Sequence, residues 1–237
     1  MEKLTRFIET LGVDIYGYAD ISMFEADLRS NLDRGIAIGI AVDSDIIRKI
    51  PDGPHMDYVE AYISINAKLD EISDKIASYI EEMGYLAVSQ TRAYVSNQIE
   101  MSKNDSDNIY GKALMPHKTV AASAGLGFIT KSALLITERY GSAVRFGSIL
   151  TNAPIPVYAF DYSCRCGDCT VCADNCPTGA IYGKTWTRET PREELINYEL
   201  CQKSFMDRGK LIDVTSGGGT CGVCIAVCPY TKKYLNT

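Results

Sequence analysis

Apolar and polar residues are distributed along the first 150 residues in a way that predicts a mixed α/β fold. Apolar residues at helical spacing predict a helix over 3–11, and an apolar run predicts a strand over 13–19. The segment 22–33 begins with the candidate capping box Ser-Met-Phe-Glu and predicts a second helix. The run 35–42 is apolar without alternation, which is typical of a strand covered on both faces.

A long amphipathic pattern follows the Pro-Asp-Gly-Pro loop at 51–54 and predicts a helix over 56–83 that ends at Gly84. Its predicted buried side comprises Val59, Ile63, Ile72, Ile76, Ile80 and Met83. A predicted strand at 85–91 leads into a polar stretch over 92–111. Within it, the run Ser-Lys-Asn-Asp-Ser-Asp-Asn at 102–108 predicts a mobile loop, which we interpret as a candidate lid.

A short helix and two β-like runs come next. The helix is predicted over 116–124. The apolar runs 125–137 and 142–151 predict a hairpin, because the polar turn 138–141 joins them. The segment 152–156 contains two prolines and is the predicted linker to the rest of the chain.

Length and composition allow one medium domain followed by a small one. The chain has 237 residues, 46% hydrophobic and 23% charged, which is enough to bury a sizeable core. We predict an α/β domain over 1–156 and a cysteine-rich module over 157–237. A net charge of -6 and a pI near 5.0 make nucleic-acid binding an unfavoured function, since it needs a basic face.

Hydropathy gives no indication of membrane association. No stretch approaches the roughly 20 consecutive apolar residues that cross a bilayer. The N-terminal segment also lacks the apolar run of a signal peptide. We therefore expect a cytoplasmic protein, and in that reducing compartment its nine cysteines, all after residue 163, are better explained as metal ligands than as disulfides.

Eight cysteines have the spacing of two 4Fe-4S sites. The motif C-x2-C-x2-C-x3-C-P is followed downstream by C-x2-C-x3-C-P, and in such motifs three thiolates hold one cluster while the fourth reaches the other. The predicted ligands of cluster one are Cys166, Cys169, Cys172 and Cys228. The predicted ligands of cluster two are Cys176, Cys201, Cys221 and Cys224. Zinc is the alternative metal, and Cys164 is left as a bystander.

The segment between the two motifs contains a helix signal. Thr190 is a candidate N-cap, followed by Pro at the first helical position and Glu at the third. The predicted helix would deliver Cys201 to its cluster.

The block from His117 to Ile155, together with the two cysteine motifs, resembles epoxyqueuosine reductases and their relatives in order and spacing. The likeness covers roughly residues 110–237, and more weakly 1–50. It implies a nitroreductase-like α/β domain followed by a bacterial ferredoxin-like domain with two 4Fe-4S clusters. It also implies a cobalamin that the clusters reduce, as in the related reductive dehalogenases. The family's C-terminal helical-repeat domain, which helps to hold transfer RNA, is expected to be lacking.

Residues of the corrinoid pocket are implied by a match to the family's A-G-L-G-W-I-G-K segment. The matching residues are Ala124, Gly125, Leu126, Gly127, Phe128 and Lys131. Glycines permit a large macrocycle to approach the backbone, and Lys131 is a candidate contact for a cofactor amide or phosphate. The alternative interpretation of the two glycines is a tight turn between a helix and a strand.

The candidate catalytic residues are His117, Lys118 and Tyr110. His117 and Lys118 stand where the family has a glutamate and a basic residue, and His117 is a candidate proton donor near pH 7. Its alternative roles are capping the helix after Pro116 or bonding a backbone carbonyl. The acidic residue proposed as the family's proton donor is replaced here by Gly111.

Three classes of function follow. The first is a corrinoid-dependent reductase acting on a small or nucleoside-like substrate, with a reduced ferredoxin or flavodoxin as electron donor. The second is an electron carrier or activator that docks a partner protein and holds no corrinoid. The third, less favoured, is a flavin-dependent reductase, since nitroreductase-like folds commonly hold FMN.

Overall fold

A computed structural model describes residues 1–102, 115–161, 163–214 and 219–237. The helices are α1 Glu2–Thr10, α2 Ser44–Lys49, α3 Met56–Glu82, α4 Arg92–Ser102, α5 His117–Ser123, α6 Val171–Asp174, α7 Tyr198–Lys210, α8 Val223–Ala226 and α9 Pro229–Leu235. The strands are β1 Ile15–Asp20, β2 Arg34–Ala41, β3 Ala87–Ser89, β4 Phe128–Ile129, β5 Leu135–Ile136 and β6 Val144–Thr151.

The chain forms two compact units, each built from separate segments. The sheet unit comprises residues 1–40, 66–126 and 146–161. The cysteine unit comprises residues 41–65, 127–145 and 162–237. Among the described residues, no helix is long and apolar enough to span a membrane.

A four-stranded sheet, in the order β1-β2-β6-β3, is the centre of the sheet unit. β1 and β2 are antiparallel, from the pair Ile15 and Gly39 to the pair Asp20 and Arg34. β2 is buried at every position from 35 to 40, which confirms a strand covered on both faces. Helix α1 confirms the first predicted helix and buries Leu4 and Ile8 completely.

The predicted helix over 22–33 is wrong. This segment contains only a 3-10 turn at Asp27–Arg29. The reason lies in local side-chain competition, because the backbone N–H and the hydroxyl of Ser22 both donate to Asp20 Oδ1, at 2.9 and 2.6 Å. Because the Ser22 hydroxyl is already hydrogen-bonded to a residue two positions earlier, it does not cap a following helix.

The long helix α3 confirms the predicted helix over 56–83, with two corrections to its buried side, of which the first is that Met83 is half-buried and lies just beyond the helix. Ile72, Ile76 and Ile80 are buried, but Ile63 is 50% exposed. Helix α4 occupies the beginning of the polar stretch, where the sequence predicted no helix. Residues 103–108 of the predicted mobile loop lie outside the described residues.

The predicted hairpin between 125–137 and 142–151 is wrong in its pairing. The first run folds back on itself, since β4 pairs with β5 through Phe128 and Ile136. The second run becomes β6, which pairs with β3 in the four-stranded sheet.

The cysteine unit is built from short helices around two apolar clusters. The larger cluster joins α2, α8 and α9 through Ile47, Val223 and Leu235. The smaller cluster joins Leu195 to neighbours from other segments of the unit.

A helix start at Thr190 is wrong. Thr190 Oγ accepts the backbone N–H of Thr187, and only a 3-10 turn follows, at Arg192–Glu194. Helix α7 begins instead at Tyr198, where the side chain of Asn197 accepts the N–H of Leu200 at 3.0 Å. The helix that carries Cys201 is therefore present but begins later.

Candidate functional site

The eight predicted ligands come from short helices and the turns beside them in the cysteine unit. Cys172 lies in α6, Cys201 in α7 and Cys224 in α8, and Cys228 is the N-cap of α9. Helices α6 and α8 are neighbours within the unit. All nine cysteines are free thiols of intermediate exposure. The two motifs, far apart in sequence, are thus adjacent in the folded unit.

Electrostatic repulsion acts between thiols within each predicted ligand group and also between the two groups. Burial raises the pKa of the Cys172 thiol, and repulsion from Cys228 and then Cys169 raises it further. These three residues belong to the predicted set of cluster one. The pairing of Cys172 with Cys228 joins the first motif to the end of the second.

The second group is centred on Cys224. Burial raises the pKa of its thiol well above the ordinary value, and repulsion from Cys221 and Cys201 adds to this effect. Cys172 and Cys176 contribute more weakly. Three of these four neighbours are the other predicted ligands of cluster two. The fourth, Cys172, is a predicted ligand of cluster one, so the two predicted ligand groups lie close together.

The Cys166 thiol interacts with Cys164, the cysteine that the sequence assigns to neither cluster. Burial raises the pKa of its thiol to about 12, the backbone N–H of Lys131 opposes this shift, and a hydrogen bond with Cys164 increases it. Cys164 is therefore in direct contact with a predicted ligand. Its role as a bystander stays a prediction.

The donors around the sulfurs suit an iron-sulfur cluster. The backbone N–H of Ala180 donates to Cys176 Sγ at 3.3 Å, and the Ser204 hydroxyl lies 3.5 Å from Cys221 Sγ. Hydrogen bonds to sulfur are one of the means by which proteins set the potential of such clusters.

In the described part of the chain, no three His, Cys, Asp or Glu side chains converge to hold a single ion.

Lys131 lies against the ligand loop of the first motif. Its side chain is buried, with 6% exposure, and Nζ donates to the carbonyl oxygen of Cys169 at 3.2 Å. Together with the backbone contact to Cys166, this gives Lys131 two contacts with predicted ligands of cluster one. The sequence predicted a corrinoid contact for Lys131, and that contact stays a prediction.

The local structure explains why glycine occupies positions 125 and 127. Gly125 follows the C-cap of α5 with φ +74°, and its N–H donates to the carbonyl oxygen of Ala122. An added Cβ at this position would lie 2.5 Å from the Phe160 ring. An added Cβ at Gly127 would lie 1.9 Å from the carbonyl oxygen of Ile136, across the β4 and β5 pair. The tight-turn interpretation therefore accounts for the two glycines without a cofactor.

The other residues matched to the corrinoid segment are also packed against protein. Leu126 lies against Gly17, where an added Cβ would be 2.9 Å from the Leu126 side chain. Ala124 is buried, and Phe128 packs edge-to-face on Tyr230 with ring centroids 5.3 Å apart. Their predicted contact with a cofactor stays a prediction.

His117 belongs to a buried hydrogen-bond chain in the sheet unit. The hydroxyl of Ser148 donates to Gln90 Oε1 at 2.5 Å, and Ser148 Oγ lies 2.7 Å from His117 Nδ1. Because the Ser148 proton is given to Gln90, its oxygen can accept from Nδ1–H. The contact with Ser148 thus orients the imidazole ring.

The remaining candidate residues are less informative. The N-cap of α5 is Pro116, without a side-chain cap, so His117 does not cap this helix. Lys118 follows His117 in α5. Tyr110 and Gly111 lie outside the described residues. Ser148 and Gln90 were not predicted, although a serine inside the apolar run of β6 is a signal that a buried polar contact exists.

Comparisons with known proteins agree with the cysteine chemistry. A family described as a 4Fe-4S double cluster binding domain matches residues 165–231. An epoxyqueuosine reductase of Lactococcus garvieae (strain Lg2) is 31% identical over 175 residues, which is 71% of this chain and 41% of that protein. A tetrachloroethene reductive dehalogenase of Sulfurospirillum multivorans is 34% identical over 116 residues, 47% of this chain and 23% of that protein.

Solved structures show a similar fold. An epoxyqueuosine reductase with a modified tRNA-Tyr stem loop aligns with a TM-score of 0.56 and 21% identity, covering 98% of this chain and 65% of that one. A catabolic reductive dehalogenase aligns with a TM-score of 0.66 and 19% identity, covering 99% and 33%. The chain thus spans less than two thirds of these relatives. The resemblance predicted from the sequence is confirmed.

Proposed function

We propose that this chain, which resembles epoxyqueuosine reductases and reductive dehalogenases, is an iron-sulfur oxidoreductase with two 4Fe-4S clusters in its cysteine unit. Electrons of low potential pass through the clusters to an acceptor bound by the α/β part of the chain. The observation that carries this proposal is the adjacency of the two cysteine motifs in the folded unit, where the neighbouring helices α6 and α8 carry Cys172 and Cys224.

Each predicted ligand set takes cysteines from both motifs. Cluster one would be held by Cys166, Cys169, Cys172 and Cys228. Cluster two would be held by Cys176, Cys201, Cys221 and Cys224. The N–H of Ala180 and the hydroxyl of Ser204 would donate to sulfurs of cluster two and stabilise its added electron.

A corrinoid is the acceptor that the relatives favour. The reductive dehalogenase structures include one described in terms of B12-dependent dehalogenation, and it aligns over 97% of this chain with a TM-score of 0.66. A bound cobalamin would supply a cobalt centre that takes electrons from the clusters. In this chain, however, Gly125, Gly127 and Lys131 are engaged by protein groups, so the corrinoid proposal depends on the likeness alone.

His117 is the proposed proton donor to the reduced substrate. Its imidazolium would give the Nε2 proton to the substrate, while Nδ1–H stays bonded to Ser148. Ser148 and Gln90 hold the ring but do not take part in the transfer. Lys118 and Tyr110 are the other candidate groups near the substrate.

We propose a small or nucleoside-like substrate and a reduced ferredoxin or flavodoxin as electron donor. One structural relative was solved with a tRNA stem loop, which contrasts with the expectation from the charge of this chain. Fluorescence anisotropy with a labelled tRNA stem loop distinguishes a small substrate from a nucleic-acid substrate. We expect no binding at micromolar protein, and saturable binding would make nucleic acid the substrate class.

The engaged glycines favour a second candidate function, an electron carrier that docks a partner protein and holds no corrinoid of its own. Anaerobic reconstitution followed by titration of the reduced protein with cob(II)alamin distinguishes the corrinoid-dependent reductase from the electron carrier. Loss of the cobalt resonance in electron paramagnetic resonance (EPR) spectra supports the corrinoid proposal. An unchanged cobalt resonance, with about eight irons per chain, refutes it and supports the carrier.

A further inference from the structure

The cysteine unit contains a buried cation beside one of its two ligand groups. Lys131 is 6% exposed, and its ammonium donates to the carbonyl oxygen of Cys169 at 3.2 Å. In the part of the chain that the structure describes, no carboxylate pairs with this ammonium. A buried charge is costly unless an opposite charge compensates it.

A 4Fe-4S core would provide that opposite charge. Four thiolates around the core give the whole group a net negative charge, which becomes more negative by one when the cluster is reduced. The contacts of Lys131 are with Cys169 and Cys166, and both residues belong to the set proposed for cluster one. A single buried cation would therefore affect the two clusters unequally.

We infer that Lys131 is an electrostatic positioning residue that raises the reduction potential of cluster one relative to cluster two. Its ammonium stabilises the added negative charge of the reduced cluster, and burial keeps solvent from screening the interaction. The direction of electron flow between the clusters would then be set in part by one side chain outside the cysteine motifs. This inference rests on the two-cluster assignment of the proposed function.

The other cations of the unit provide a matched comparison. Lys184 forms an ion pair with Glu194, and the two side chains are 52% and 46% exposed. Solvent and the carboxylate both reduce the field of such an ammonium. Lys184→Gln therefore removes the same charge as Lys131→Gln from the same unit, but from a screened position.

The test is an anaerobic redox titration of the reconstituted protein, with the cluster signals followed by EPR. In Lys131→Gln, we expect the equilibrium constant for reduction of one cluster to fall at least tenfold, about 59 mV for a one-electron couple, and the other to move less. Lys131→Arg should restore the potential, and Lys184→Gln should leave both potentials unchanged.

Several outcomes would overturn the inference. Unchanged potentials in Lys131→Gln with full iron content would do so, as would an equal shift in both clusters. If Lys131→Gln loses a cluster, Lys131→Met is measured next, and loss of the cluster in both variants would leave Lys131 a purely structural residue. Absence of 4Fe-4S signals from the unmodified protein would instead refute the proposed function itself.

Discussion

Removal of Cys201 tests the assignment of cluster two most directly. Cys201 lies in α7, away from both cysteine motifs, and is coupled to the Cys224 thiol. With Cys201→Ala, three ligands of cluster two remain, and we expect iron to fall from about eight to about four atoms per chain. EPR should show that the remaining cluster is of the 4Fe-4S type.

The stability change can be worked from the ligand positions. Cluster two would connect Cys176 and Cys201, which are 25 residues apart (201 minus 176). In the chain-entropy model, a cross-link over a loop of this length stabilises the fold by about 3.5 kcal/mol, which is a lower bound because cluster two would also hold Cys221 and Cys224. For a chain of this size, that lower bound corresponds to a fall of about 7 to 14 °C in Tm.

The assay combines iron analysis with thermal unfolding under anaerobic conditions. Cys164→Ala is the matched control, because it removes a thiol of the same unit that is predicted to be a bystander, and it should keep about eight irons. Retention of eight irons in Cys201→Ala would refute the choice of Cys201 as a ligand. Loss of all iron would refute the independence of the two sites.

Three further predictions concern the sheet unit and the strand pair. Ser148→Ala should lower the free energy of unfolding by about 1–3 kcal/mol in chemical denaturation, since Gln90 and His117 lose a buried partner; no change would refute the hydrogen-bond chain. Gly127→Ala should cost about 1–3 kcal/mol or more, because its Cβ would meet the Ile136 carbonyl, and an unchanged Tm would contradict this close approach. His117→Gln should reduce turnover at least about 100-fold while leaving iron content unchanged, and equal turnover would exclude His117 as the donor.

The parts of the fold set by long, regular patterns could be predicted from the sequence. Helix α3 has 27 residues of sustained periodicity, and β2 is an uninterrupted apolar run. The segment 22–33 could not be predicted, because a single contact between Ser22 and Asp20 removes the cap. The pairing of β6 was missed as well, since apolar runs do not specify which strand they join.

The candidate site was predictable to a similar degree. Spacing alone grouped Cys172 with Cys228, and repulsion from Cys228 raises the pKa of the Cys172 thiol, although the ligand sets themselves stay a prediction. The position of Lys131 was not predictable, because its match to a family segment indicated a corrinoid contact whereas its ammonium bonds to Cys169. The partnership of His117 with Ser148 depends on tertiary packing between α5 and β6, which no local pattern contains.

The interleaved ligand sets that we propose would have a consequence for the integrity of the chain. Gly183 and Glu189 lie between the two groups of ligands, and Glu189 is solvent-exposed. A protease that cut the backbone between them would leave two fragments. Each fragment would give three thiolates to one cluster and one to the other. The nicked protein would then stay joined through its inorganic cores as well as through the packing of its apolar clusters, and chelation or oxidation of the iron would remove the first of these two links.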